Sequence, residues 1–189
     1  DTDTDTDTET DTGGSSDCAP EVNFPGGRVI LSHDGNQYDL DDVGAVSLTM
    51  AIWWAAGLRD NVVHVEHSNH ACLNNSYQND LMKESVQGMV DRFGFDPAII
   101  FDIQTEAAAA SDHMAEEIDA SSASDPVWII PAGPMETIWQ GMNKAQTDKL
   151  QYVYMISHSG WNQNNSECGH TWSDLKNDFP QAYYVESGP

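Results

Sequence analysis

Arg28-Val-Ile-Leu-Ser-His33, followed at once by Asp34-Gly-Asn-Gln-Tyr-Asp-Leu-Asp-Asp42, is the stretch from which the rest of the chain can be read. The first six residues form a short apolar run, entered from Pro25-Gly-Gly27 and stopped by Asp34-Gly35, which is the pattern of a buried strand. Residues 41–56 then read as a helix, with Val43, Val46, Leu48, Ile52 and Trp53 as its apolar positions and Gly57 as its stop. The same alternation continues to the end. Further strands are expected at 62–65, 98–101, 127–130, 152–156 and 182–185, and helices at 79–93, 107–118, 135–143 and 172–178.

Continuous apolar strands alternating with helices predict an α/β fold, a doubly wound, mostly parallel six-stranded sheet of Rossmann-like type with both faces covered. Right-handed crossovers place the strand-to-helix loops on one edge. Ligands of such sheets sit there, where the strand order reverses. The loops to search therefore follow His33, Glu66, Ile130 and Ile156, and all four are polar.

The chain has 189 residues, enough for one domain with a substantial core, and a formal charge of −24 from 31 acids against 7 bases. That field repels phosphate backbones and anionic lipid, which excludes nucleic-acid and membrane-surface partners as expectations. No apolar run approaches the ~20 residues of a membrane span. Residues 1–17 alternate acid and Thr before turning to Gly and Ser, with no base and no apolar side chain among them. They read as a low-complexity linker or stalk, with residues 18–189 as a single α/β domain. A loose calcium strip or a glycosylated segment are alternative readings of the same repeat. Acid excess over the whole chain points to an extracellular or secreted protein, and the opening repeat to a piece of something longer.

Asp34, Asp39, Asp41 and Asp42 crowd four carboxylates beyond the first strand. Packed together they would repel one another unless a cation compensates. Hard oxygen donors favour Ca²⁺, or Mg²⁺, over zinc. The bland alternative is a turn followed by acids in the first turn of a helix, where the dipole favours negative charge. The run is neither an EF-hand nor a dinucleotide fingerprint, since the required glycines and terminal Glu are missing.

An Asp ending the first strand, a Gly-containing turn and Asp-Asp opening an apolar helix resemble the signature of the calcium-dependent nucleoside hydrolases. His67-Ser-Asn69, Ala132-Gly-Pro-Met-Glu-Thr137 and Met155-Ile-Ser-His-Ser-Gly160 follow in the family's order. Asn177-Asp-Phe-Pro-Gln-Ala-Tyr-Tyr184 is similar to a branch of secreted nucleoside-hydrolase-like domains described as cellulose-binding. The resemblance implies a calcium ion held by Asp34 and Asp42 and by the main-chain carbonyl at Glu136. It implies Asp34 as base toward water, and Asp41, Asn69 and Asn162 as sugar contacts. Gln37-Tyr-Asp39 reads as an insertion, and Asp39, a partner chain or water would complete the ligand set. The implied activity is hydrolysis of an N-ribosidic or related glycosidic bond. The rival expectation is a non-catalytic carbohydrate-binding or assembly module that keeps the metal pocket. Partners would be a nucleoside or carbohydrate, in a homo-oligomer or a longer multidomain chain.

His158 ends the fifth strand and is a candidate general acid. His33, His67 and His158 are expected to converge on one sheet edge, with a histidine zinc site as the alternative, and His113 is expected at the surface. Cys72 and Cys168 each follow a strand on that edge, so a disulfide between them is expected, against two free thiols. Trp161 and Trp172 fall in polar loops, where an indole can stack on a sugar or a nucleobase or simply anchor the loop. No Gly-x-Ser-x-Gly elbow is present, so serine-hydrolase chemistry has no support.

Overall fold

In a computed structural model the described residues are 23–35, 40–69, 80–166 and 168–187. The stalk at 1–17, Asp39, Cys18 and Cys72 lie outside them. The strands are β1 (Arg28–His33), β2 (Val62–His67), β3 (Ile100–Asp102), β4 (Val127–Ala132), β5 (Val153–Ser157) and β6 (Tyr183–Glu186). The helices are α1 (Leu40–Ala55), α2 (Asp80–Phe93), α3 (Ile103–Asp119), α4 (Glu136–Lys144), α5 (Gly160–Asn164) and α6 (Trp172–Asp178). All five strand pairings are parallel and the order is β3-β2-β1-β4-β5-β6, so the expected doubly wound α/β sheet is present. The order reverses between β1 and β4.

Alternation along β1 builds both cores at once. Val29 and Leu31 pack with Val46 and Met50 of α1 and Met82 and Val86 of α2. Ile30 faces the other way and joins Ile129, Met155, Met114 of α3, Ile138 of α4 and Leu175 of α6. Gly141 lets α3 and α4 close together, since a Cβ there would stand 2.5 Å from the Met114 sulfur. Among the described residues no helix is long and apolar enough to cross a membrane.

Three expectations need correcting. Residues 98–99 form a short 3₁₀ turn (Pro97–Ile99) capped by Asp96, because Pro97 cannot donate to a ladder, and β3 begins only at Ile100. Helix α3 starts at Ile103 under an Asp102 cap, four residues earlier than the alanine run suggests, and bends at Glu106. Among the described residues, cover of both faces fails on one side of β5 and β6. On the α1 side, Ile156, Tyr183 and Val185 are 37%, 52% and 50% exposed, because α3, α4 and α6 all pack on the opposite face. Trp128, Tyr154 and Tyr183, paired across β4, β5 and β6, stack face to face along this side with centroids 4.7 and 4.6 Å apart.

Candidate functional site

A cleft of about 770 Å³ opens where the strand order reverses, at the carboxyl ends of β1, β4 and β5. Its lining includes Asp34, Asp41, Asp42, His158, Trp161 and Asn162, so six of the expected site residues meet in one place. Asp34 continues β1 by one residue, its N–H donating to Ala132 O at 3.1 Å. Gly133 is pressed against it: a Cβ there would meet the Asp34 nitrogen at 2.7 Å, so only glycine permits the approach. Gly35, at φ +109°, then turns the chain so that Asp42 folds back; a Cβ on Gly35 would lie 2.6 Å from that of Asp42. Asp41 and Asp42 occupy the first turn of α1, where the helix dipole favours their charge.

The opposite wall comes from the loop after β5. Ser159 caps α5, its Oγ accepting from Asn162 N, and this short helix carries Trp161 and Asn162 into the cleft. The side chain of Asn162 is almost wholly buried. In the orientation that satisfies both ends of its amide, it donates to Asp34 Oδ2 and accepts from Gly133 N–H, each at 3.2 Å. Trp161, in contrast, is 58% exposed.

The remaining expected residues stand elsewhere. Glu136 opens α4, but its carboxylate accepts from the His170 main-chain N–H at 2.8 Å, lies 2.7 Å from His170 Nδ1, and accepts from Gln140 at 2.8 Å. It does not line the cleft. Asn69 is fully buried beneath the floor, its amide nitrogen lying within hydrogen-bond range of Ser32 Oγ, Glu66 Oε1 and Pro134 O. Cys168 is disulfide-bonded, while Cys72 and Cys18 are outside the described residues.

His33 at the end of β1, His67 at the end of β2 and His158 just beyond β5 stand on one carboxyl edge of the sheet, as expected, and His33 and His158 both line the cleft. His33 is buried, and loss of solvation pushes its pKa down to about 4, with nearby Glu66 raising it and His67 lowering it further. His67 is also depressed by burial and faces a separate cavity of about 410 Å³ between α2 and α3, with Lys83, Asp102 and Glu106. His158 alone stands exposed on the cleft wall. His113 is half-buried rather than freely solvated: its ring stacks on His64 and tilts against Phe101, with the two histidine Nδ1 atoms 3.1 Å apart. Trp172 likewise leaves the polar loop to become the first residue of α6, 3% exposed in the core.

Below the cleft lies a group that periodicity passes over. Glu66, next to last in β2 and just past the apolar run expected at 62–65, is fully buried. Its Oε1 accepts from Ser32 Oγ at 2.5 Å, from Thr137 Oγ1, and from Asn69 at 3.1 Å. An acid directly continuing an apolar strand was the available signal, because a buried acid needs partners brought by other elements.

Carboxylates around a cleft are the donor chemistry of Ca²⁺ and Mg²⁺. Among the described residues, however, no group of three His, Cys, Asp or Glu side chains is gathered to hold a metal ion. Of the expected set, Asp34 and Asp42 line the cleft and Asp39 lies outside the described residues; the Glu136 carboxylate turns to His170, whereas the resemblance asks only for its main-chain carbonyl.

The chain is 29% identical over 164 residues to an uncharacterized protein of Formosa agariphila, a match spanning 82% of this chain and 60% of that protein. No family model matches, and no solved structure matches. The chain thus spans well under two thirds of the length of its curated relative.

Proposed function

We propose that the cleft binds the sugar of a nucleoside or related glycoside and hydrolyses its N-ribosidic or glycosidic bond. The observation that carries this reading is the setting of Asp34. It is a carboxylate at the strand-order reversal, tied through its main chain to Ala132 and through Oδ2 to Asn162, with Asp41 and Asp42 lining the same cleft.

Asp34 takes a proton from the attacking water as the new C–O bond forms at the anomeric carbon. The C–N bond to the base breaks with its electron pair leaving on nitrogen, and His158 supplies the proton that neutralises the leaving group. Positive charge developing on the sugar is stabilised by the acidic lining. Asp41 and Asp42 accept hydrogen bonds from sugar hydroxyls, which fixes the ring and lowers the entropic barrier. Trp161 offers its exposed indole to the base or to a second sugar. Calcium is proposed as the cation that would offset the acidic cluster and make bound water more acidic. Since the described residues do not complete a seat for it, no step is routed through it.

The disulfide at Cys168 supports an extracellular setting. The same exposed indole supports a second reading, a carbohydrate-binding module without turnover, working in an oligomer or a longer chain. Incubation with a panel of ribo- and deoxyribonucleosides, with reducing-sugar detection, separates the two. Sugar release that disappears in Asp34→Asn supports the hydrolase. Glycan-array binding with no release from any nucleoside supports the module, and release undiminished in Asp34→Asn removes Asp34 as the base.

A further inference from the structure

We infer that Glu66 is the positioning residue of the cleft: its buried carboxylate, facing His64, locks together the strand ends that hold Asp34 and Gly133. The inference rests on the cleft being the functional site and deepens that reading.

Three elements meet at Oε1 of Glu66. Ser32 brings the end of β1, Thr137 the first turn of α4, and Asn69 the loop after β2. Asn69 then carries the restraint upward. Its amide nitrogen holds Pro134 O at 3.0 Å, next to Gly133, and its main-chain N–H donates to His33 O at 3.1 Å, next to Asp34. Gly133 and Asp34 are the two groups that Asn162 bridges at the cleft surface. One oxygen therefore registers β1, β2 and the β4–α4 turn directly under the reacting position. A polar group serves here where an apolar one would not, because hydrogen bonds are directional and hydrophobic contact is not.

The second oxygen has a different partner. Glu66 Oε2 lies 3.5 Å from His64 Nε2, both atoms fully buried and neither with a hydrogen-bond partner among the described residues. The other nitrogen of His64 faces His113 Nδ1 at 3.1 Å, so one of those two nitrogens carries hydrogen and the other is bare. The Glu66 Oε2 acceptor opposite Nε2 favours hydrogen on Nε2. His64 Nδ1 is then the acceptor and His113 Nδ1 the donor. The pair His64–His113 so becomes a brace reaching from the buried acid to the flank of α3.

The test compares the intact protein with Glu66→Gln by amide hydrogen exchange, together with two-bond nitrogen–proton spectra of the imidazoles. Positioning predicts that exchange at Asp34 and Asn69 accelerates at least tenfold in Glu66→Gln while amides of the β5–β6 pairing keep their rates. It also predicts His64 with hydrogen on Nε2 in the parent protein. Acceleration spread evenly over the sheet, unchanged exchange at Asp34 and Asn69, or hydrogen on His64 Nδ1 would each overturn the proposal. Should Glu66→Gln fail to fold, Thr137→Val removes one donor and is judged by the same local pattern. Neither readout needs a substrate, so an absence of nucleoside cleavage would count against the proposed activity and leave this inference standing.

Discussion

Glu66 and the carboxylates of Asp34, Asp41 and Asp42 belong to the same end of the sheet, and they live in opposite surroundings. Glu66 is sealed under the sheet edge with hydroxyl and amide donors from three elements, while Asp34, Asp41 and Asp42 line an open cleft and Asp41 is largely exposed. Burying a charge costs several kcal/mol unless donors surround it, so the sealed acid is an architectural choice whose removal strands its donors. Acids at an open rim keep their hydration until something displaces it. The difference assigns the sealed acid to holding shape and the rim acids to meeting ligand.

That contrast can be broken in several ways. The largest effect is expected at the rim: Asp34→Asn should lower turnover by roughly 10²- to 10⁴-fold, the range of general-base contributions, with a melting temperature close to the parent's. A melting temperature that collapses along with activity would make Asp34 a structural acid like Glu66.

Beneath the cleft, acid should act on stability. A buried His33 with a folded pKa near 4 binds its proton less readily than the unfolded chain, whose value is about 6.5. Stability is then full above the unfolded value and falls as pH drops from about 6.5 toward 4, by roughly 3 kcal/mol, with His67 acting in the same direction. Urea unfolding at pH 7 and at pH 4.5 measures it, and His33→Asn should flatten the dependence. Equal slopes in the two proteins would assign the acid sensitivity elsewhere.

Calcium sharpens the reading of the rim. If the rim acids form a cation seat with residues outside the described ones, a hundredfold excess over the dissociation constant should stabilise by about 2.7 kcal/mol. The expected rise in melting temperature should vanish with EDTA and in Asp42→Ala. A rise that survives Asp42→Ala places the ion elsewhere. The smallest effect belongs to Trp161→Ala, expected to weaken sugar or nucleoside binding by about 1 kcal/mol while leaving stability alone, since the side chain is 58% exposed. Isothermal titration with the best ligand of the panel reads this directly.

Much of the architecture was legible because burial on both faces writes itself as unbroken apolar runs. Val29-Ile-Leu31 could only be a strand feeding two cores, and residues 172–178 read as the short helix that became α6. The cleft's acids were legible for a related reason, since polar residues just after a buried strand have only the loop edge to occupy. What stayed hidden depended on partners distant in sequence. Glu136 looked like a cleft residue from its turn, yet His170, 34 residues away, draws its side chain off. His113 looked solvated on an alanine-rich helix, yet α3 packs it against His64. Trp172 looked like a loop aromatic until α6 turned it inward.

The order of apolar and polar residues by itself determined the parallel α/β sheet, its edge of loops and the acid cluster at the first of them, because periodicity and turn chemistry are local. Only the tertiary structure decided that Asp34, Asn162 and Gly133 meet, that Glu66 lies sealed below them, and that one side of β5 and β6 stays bare. Strand order and the side taken by each crossover are settled by the packing of the whole domain, so no single stretch of chain carries them.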